Sequence, residues 1–129
     1  MKTNEDVENL EKFIGQLQGL QSEISQLAKK APNDGLNLFK LKFVNKVLQN
    51  GNVILTGRYM PFDGFSQFEE NELPTNSDVT MILAQYMEQA ERFRSDHVVW
   101  LGGRWRYVLD GVASEIESRA PTKVGGDKK

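Results

Sequence analysis

An α+β fold, a three-helix bundle packed with a small antiparallel C-terminal β-meander, is predicted by three patterns in this 129-residue sequence. Apolar residues recur at steps of three and four from Glu5 to Ala31, and a second apolar stripe runs from Leu36 to Leu55. The same spacing returns after Thr75, and then Gly102-Gly103 and Asp110-Gly111 separate short runs rich in Val, Trp and Tyr. The first kind of spacing marks amphipathic helices, and glycine-centred dipeptides between β-formers mark hairpins. With 39% apolar and 26% charged residues the composition fits one globular domain. That domain is expected over 1–119, with a disordered tail over 120–129 where Pro121, Gly125-Gly126 and two terminal lysines gather.

The first helix is expected over about 5–30. Written as heptads from Val7 at a, it has Val7, Ile14, Gln21 and Ala28 at a, Leu10, Leu17 and Ile24 at d, and Phe13, Leu20 and Leu27 at g. Three apolar positions per heptad suit a bundle helix, and the stripe is wider than a peripheral helix requires. Glu5, Asp6 and Glu8 at the start and Lys29 and Lys30 at the end have the polarity the helix dipole favours. Gly15 and Gly19 lie on the outer side, as tolerated surface glycines or beneath a close neighbour.

Pro32-Asn33-Asp34-Gly35 breaks the chain and offers Asn33 or Asp34 as the next N-cap. Over about 36–56, helical placement puts Leu36, Phe39, Leu41, Phe43, Val44, Val47, Leu48, Ile54 and Leu55 on an arc of about 200°, with Lys42, Asn45, Lys46 and Gln49 on the remaining side. A helix so apolar is expected between other elements. Phe39, Leu41 and Phe43 also alternate with lysines, and Asn50-Gly51 is a hairpin dipeptide. The helix is preferred because its stripe resumes in phase after Gly51.

Pro61, Gly64 and Pro74 exclude regular structure from much of 57–75, yet Tyr59, Phe62, Phe65 and Phe68 recur every third residue there. Such rings pin a loop, either by capping the helical core or by lining a recognition groove. Thr75 caps a third helix over about 76–96, with Asp78 as reciprocal partner and Val79, Ile82, Leu83, Tyr86, Ala90, Phe93 and His97 on one face.

Two-residue turns at Gly102-Gly103 and Asp110-Gly111 fix a meander over about 98–118. They pair Trp100 with Trp105, Val98 with Tyr107, Leu109 with Val112, Tyr107 with Ser114 and Trp105 with Ile116. One face then collects Val98, Trp100, Trp105, Tyr107, Leu109, Val112 and Ile116, expected to lie on the bundle. The other receives Arg104 opposite Glu117 and Arg106 opposite Glu115. Trp105, Val108, Leu109, Val112 and Ile116 also keep helical spacing, so the alternative is an all-α four-helix bundle. Gly111 within that helix would cost about 1 kcal/mol.

Sixteen basic and eighteen acidic residues leave a charge of −2, so no overall field holds the chain to nucleic acid or an anionic membrane. Without cysteine there are no disulfides, thiolate nucleophiles, Cys-ligated zinc sites or iron–sulfur clusters. No apolar run approaches a membrane span or a signal-peptide core, which predicts a soluble, cytoplasmic chain. The one histidine, His97, neighbours Ser95 and Asp96, but adjacent residues point apart and cannot form a relay; it reads as closing an apolar helix face. Asp63, Glu69, Glu70 and Glu72 lack calcium-loop spacing, and no glycine pattern cradles phosphate. Neither a cofactor nor a metal is implied.

Charge falls in blocks. Leu36 to Arg58 holds Lys40, Lys42, Lys46 and Arg58 without an acid, and Tyr59 to Glu91 holds seven acids without a base. Either the acidic loop closes over the basic helix, or a bipolar surface meets a partner. The sequence therefore favours a non-enzymatic protein–protein interaction module, a small adaptor, chaperone-like or regulatory subunit that forms a homo-oligomer. Its partner contacts would be Tyr59, Phe62, Phe65 and Phe68 for apolar anchoring, with Arg92 and Arg94 for charge. The runner-up is single-stranded nucleic-acid binding through Trp100, Arg104, Trp105 and Arg106, where rings stack on bases and arginines hold phosphates. A small-ligand binder or enzyme with a pocket between sheet and helices ranks third.

Overall fold

A computed structural model describes residues 1–123. It contains three helices, α1 (Asn4–Lys30), α2 (Leu38–Ile54) and α3 (Asn76–Asp96), a 3-10 turn at Gly57–Tyr59, and strands β1 (Val98–Leu101), β2 (Arg104–Leu109) and β3 (Val112–Glu117). The α+β arrangement is the one adopted, and the four-helix alternative is excluded.

Local chemistry starts each helix. The Thr3 hydroxyl accepts from the Asp6 amide at 3.2 Å, and the Asp6 carboxylate accepts from the Thr3 and Lys2 amides. Those backbone donors hold the Asp6 carboxyl below its ordinary pKa. Thr75 caps α3 as expected, accepting from the Asp78 amide at 3.1 Å. The cap of α2 is Asn37, not Asn33 or Asp34. The earlier pair lies in a turn stitched to the start of α3, where the Asn76 amide donates to the Asp34 carbonyl and the Leu36 amide to the Pro74 carbonyl. Backbone pairing there moves the helix start downstream.

The wide stripe of α1 is consumed inside the chain: Val7, Leu10, Phe13, Ile14, Leu17 and Ile24 are buried, chiefly against α3 and also against α2. Helix α2 runs through Asn50-Gly51 because the Phe13 ring of α1 lies on Gly51, where a Cβ would sit 2.5 Å from the ring. A hairpin dipeptide thus serves as a helix-crossing point, and its glycine is required by close approach rather than by backbone angle. Gly15 and Gly19 face open space.

The sheet has order β1-β2-β3, and both turns have the positive φ angles of type I′: Gly102 66°, Gly103 83°, Asp110 56° and Gly111 80°. The first hairpin has the expected register, Trp100 with Trp105 and Val98 with Tyr107. The second departs from it. Leu109 pairs with Val112 and Val108 with Ala113, but Arg106 then pairs with Glu117, so residues 114–116 oppose Tyr107 alone. The Ser114 hydroxyl accepts from the Ile116 amide and closes this bulge. Because the slip is two residues, each side chain keeps its face. Glu115 still meets Arg106 at 3.0 Å and also reaches Arg104 at 2.9 Å.

Burial of the inner face is uneven. Val98 and Tyr107 are buried and Trp105, Leu109 and Ile116 partly so, whereas Trp100 is 57% exposed and Val112 is also exposed. The expected wholly covered face is corrected here: the sheet is fixed near its root, where the Val108 amide donates to the His97 carbonyl and the Tyr107 hydroxyl donates to Glu11. The β1–β2 tip extends beyond this cover. Residues 118–123 run along the end of α3, with the Ser95 hydroxyl accepting from the Thr122 and Lys123 amides and Glu88 pairing with Lys123. The remainder of the expected tail, 124–129, lies outside the described residues.

Candidate interaction surface

The loop rings expected as anchors are all turned inward. Tyr59, Phe62, Phe65 and Phe68 are partly buried against the core, and Phe65 meets Phe62 and Phe68 edge-on at 6.5 and 5.1 Å. The loop backbone is held by amide side chains of α2. Asn45 donates to the Phe68 carbonyl and accepts from the Phe68 amide, both at 2.9 Å, while Asn52 donates to the Ser66 carbonyl and accepts from the Tyr86 hydroxyl. Asn45, placed by periodicity on the solvent side of α2, is 2% exposed. It acts as a short piece of sheet edge for the loop. No spacing rule marks such a residue, since its partner is 23 positions away.

Tyr59 sits at the loop entrance, its hydroxyl donating to Asp96 at 2.6 Å and accepting from Arg58. Burial, then the Asp96 carboxylate, pushes its pKa up to about 12. His97 stacks on Phe93 at 4.3 Å, and its Nδ1 lies 2.6 Å from the Phe93 carbonyl, which can only accept. That nitrogen therefore carries the proton, and burial holds the ring below its ordinary pKa. The position is the apolar-face closure read from the sequence. The Tyr107 hydroxyl is likewise pushed up to about 12, by burial and by Glu11.

Arg94 leaves the candidate contact set. Its side chain is fully buried, and all five of its N–H donors are engaged within the chain: Nε and Nη2 on Glu91, and the rest on the Ser118 hydroxyl and the Arg119 and Ala120 carbonyls. A charge read as surface complementarity is the clip that holds the end of β3 against α3. Arg92 remains near the surface, paired with Glu88 at 3.1 Å.

The runner-up surface is divided by the sheet. Trp100 and Trp105 meet edge-on at 5.7 Å on one face, while Arg104 and Arg106 lie on the other with Glu115 and Glu117. Ring stacking and phosphate contact would thus be called for on opposite sides of one β-ribbon.

The acidic loop does lie beside the basic helix, but amides make the attachment. Among the described residues, no loop acid pairs with an α2 lysine; Lys40 pairs with Glu23 of α1 at 2.6 Å, and that hydrogen bond holds the Glu23 carboxyl below its ordinary pKa. Lys42, Lys46, Glu69, Glu70 and Glu72 are all exposed.

The expectation that α2 lies between other elements on its whole apolar arc also requires correction. Helix α1 covers one flank through Phe13 and Glu23, and the loop covers the other through Asn45 and Asn52. The third side is open. Along it Phe39, Phe43, Lys46, Asn50 and Val53 follow one another at alternating steps of four and three, and every one is exposed, Phe39 by 72%, Phe43 by 50% and Val53 by 79%. The Phe39 and Phe43 rings touch edge to face at 5.1 Å. This is the spacing of a two-helix seam. At its C-terminal end the seam borders a groove of about 270 Å³ between α1 and α2, lined by Asn9, Lys12, Gln16 and Asn50 among others. The signal was present in the sequence, but the width of the apolar arc hides it, because an arc of that width assigns both phenylalanines to the core.

Among the described residues, no group of three metal-ligating side chains converges and no helix is long and apolar enough to cross a membrane. Comparison with protein-family models, with curated proteins and with solved structures found no match.

Proposed function

We propose that this chain is a non-enzymatic protein-interaction module, an adaptor or regulatory subunit, that docks a partner on the open side of α2. The carrying observation is the five-residue seam from Phe39 to Val53, exposed throughout while both flanks of the helix are occupied. Large apolar side chains kept in water along one helix stripe are costly unless something covers them. The α1 stripe, which suggested self-association, is already covered within the chain. The loop phenylalanines are packed against the core instead of forming this surface.

Quantitative capture from native lysate with the wild-type chain, Phe39→Ser/Phe43→Ser and Trp100→Ser tests the reading. Partners retained by wild type and Trp100→Ser but lost from the double variant are expected. Loss confined to Trp100→Ser would move the site to the hairpin tip, and unchanged capture by all three would overturn the docking role of α2.

A further inference from the structure

We infer that the partner of this face is an acidic amphipathic helix, an inference that rests on the docking role proposed for α2. The spacing carries the first half. Steps of four and three from Phe39 to Val53 make a straight seam about 21 Å long, which a second helix follows and an extended peptide or a flat surface does not. Charge carries the second half. From Leu38 to Ile54 the helix has Lys40, Lys42 and Lys46 and no acid. Lys40 is neutralised by Glu23, whereas Lys46 lies in the seam and Lys42 beside it with no acid paired to either among the described residues.

A second copy of this chain fits poorly, since a symmetric pairing of two α2 faces sets one lysine row against another. An anionic membrane fits poorly as well. Glu69, Glu70 and Glu72 are exposed on the loop that Asn45 ties to the same helix, and an extended anionic surface would have to accommodate them. A helix is only about 10 Å across and presents a single row of side chains to the seam. Asn50, a polar residue at a seam position, favours one register and a partner with a polar group at that layer.

The full chain is titrated with a fluorescein-labelled helical peptide of about three heptads, leucine at its seam positions and glutamate opposite Lys42 and Lys46. A twin peptide with lysine for glutamate, and phosphatidylserine–phosphatidylcholine vesicles, are titrated in parallel. Anisotropy is expected to show binding of the acidic peptide, about tenfold weaker to Lys42→Glu/Lys46→Glu, with the variant preferring the lysine peptide by a similar factor. Equal affinity for both peptides, binding of neither, or binding of vesicles alone overturns the acidic-helix assignment. The lysate capture separates the two levels: partners lost from Phe39→Ser/Phe43→Ser while the peptides fail would leave α2 as the docking face and remove only this partner chemistry.

Discussion

Phe62, Phe65 and Phe68 of the loop and Phe39 and Phe43 of α2 are the same side chain in opposite circumstances. The loop rings lie on an irregular segment, yet they are partly buried. The α2 rings lie on a regular amphipathic helix, yet one is 72% exposed. The difference comes from backbone anchorage and available cover. The loop has its main chain fixed by Asn45 and Asn52, so its rings can be pressed against the core without leaving buried amides unpaired. A helix satisfies its own backbone, so nothing compels its third side to be covered once α1 and the loop occupy the other two. Apolar periodicity reports what a residue can face, and neighbours decide whether anything is there.

The contrast is most open to attack at Asn45. Replacement by alanine leaves the Phe68 amide and carbonyl without partners, and a loss of about 3 kcal/mol is expected in urea denaturation. Faster amide exchange should be confined at first to the loop; uniform exchange across the chain would show that the loop is not a separate cooperative unit. Next comes the covered flank of α2. Gly51→Ala sets a methyl against the Phe13 ring and should cost about 2 kcal/mol despite alanine's better helix propensity, with much of the loss recovered in a Phe13→Leu background. Recovery absent from that double-mutant cycle would place the strain elsewhere.

The loop entrance should show itself in alkaline titration. A tyrosine whose folded pKa is about 12 and whose unfolded pKa is near 10 contributes stability that is fully present below pH 10 and is lost as pH rises toward 12. Tyr59→Phe should remove about 1–2 kcal/mol of that alkaline loss, the ring being only partly enclosed, and an unchanged slope would deny that the Tyr59 hydroxyl is enclosed beside Asp96 in solution. The smallest effect belongs to the open side. Phe39→Ser/Phe43→Ser should change folding stability by no more than about 0.5 kcal/mol, whereas Phe65→Ser should cost several times that. A large penalty for the α2 pair would mean that those rings are part of the core in solution.

Much of the fold was legible because its signals are local. Thr75 caps α3 through a bond three residues long, and Gly102-Gly103 and Asp110-Gly111 prescribe their turns by backbone angle alone. The face assignment of the meander survived an incorrect register, since a two-residue bulge preserves side-chain parity. The candidate surface was much less legible. Arg94 looks like any surface arginine in sequence, and only the return of residues 118–120 past the end of α3 makes it a clip. Asn45 looks like a solvent-side amide, and only the loop crossing α2 buries it.

The sequence by itself determined where α3 begins, which faces are apolar and where the chain reverses, because caps, periodicity and turn angles act over a few residues. Tertiary structure alone decided which apolar faces are covered. Cover depends on elements distant in the chain arriving at one place: Phe13 lies on Gly51 and the loop on Asn45, whereas no distant element among the described residues buries Phe39.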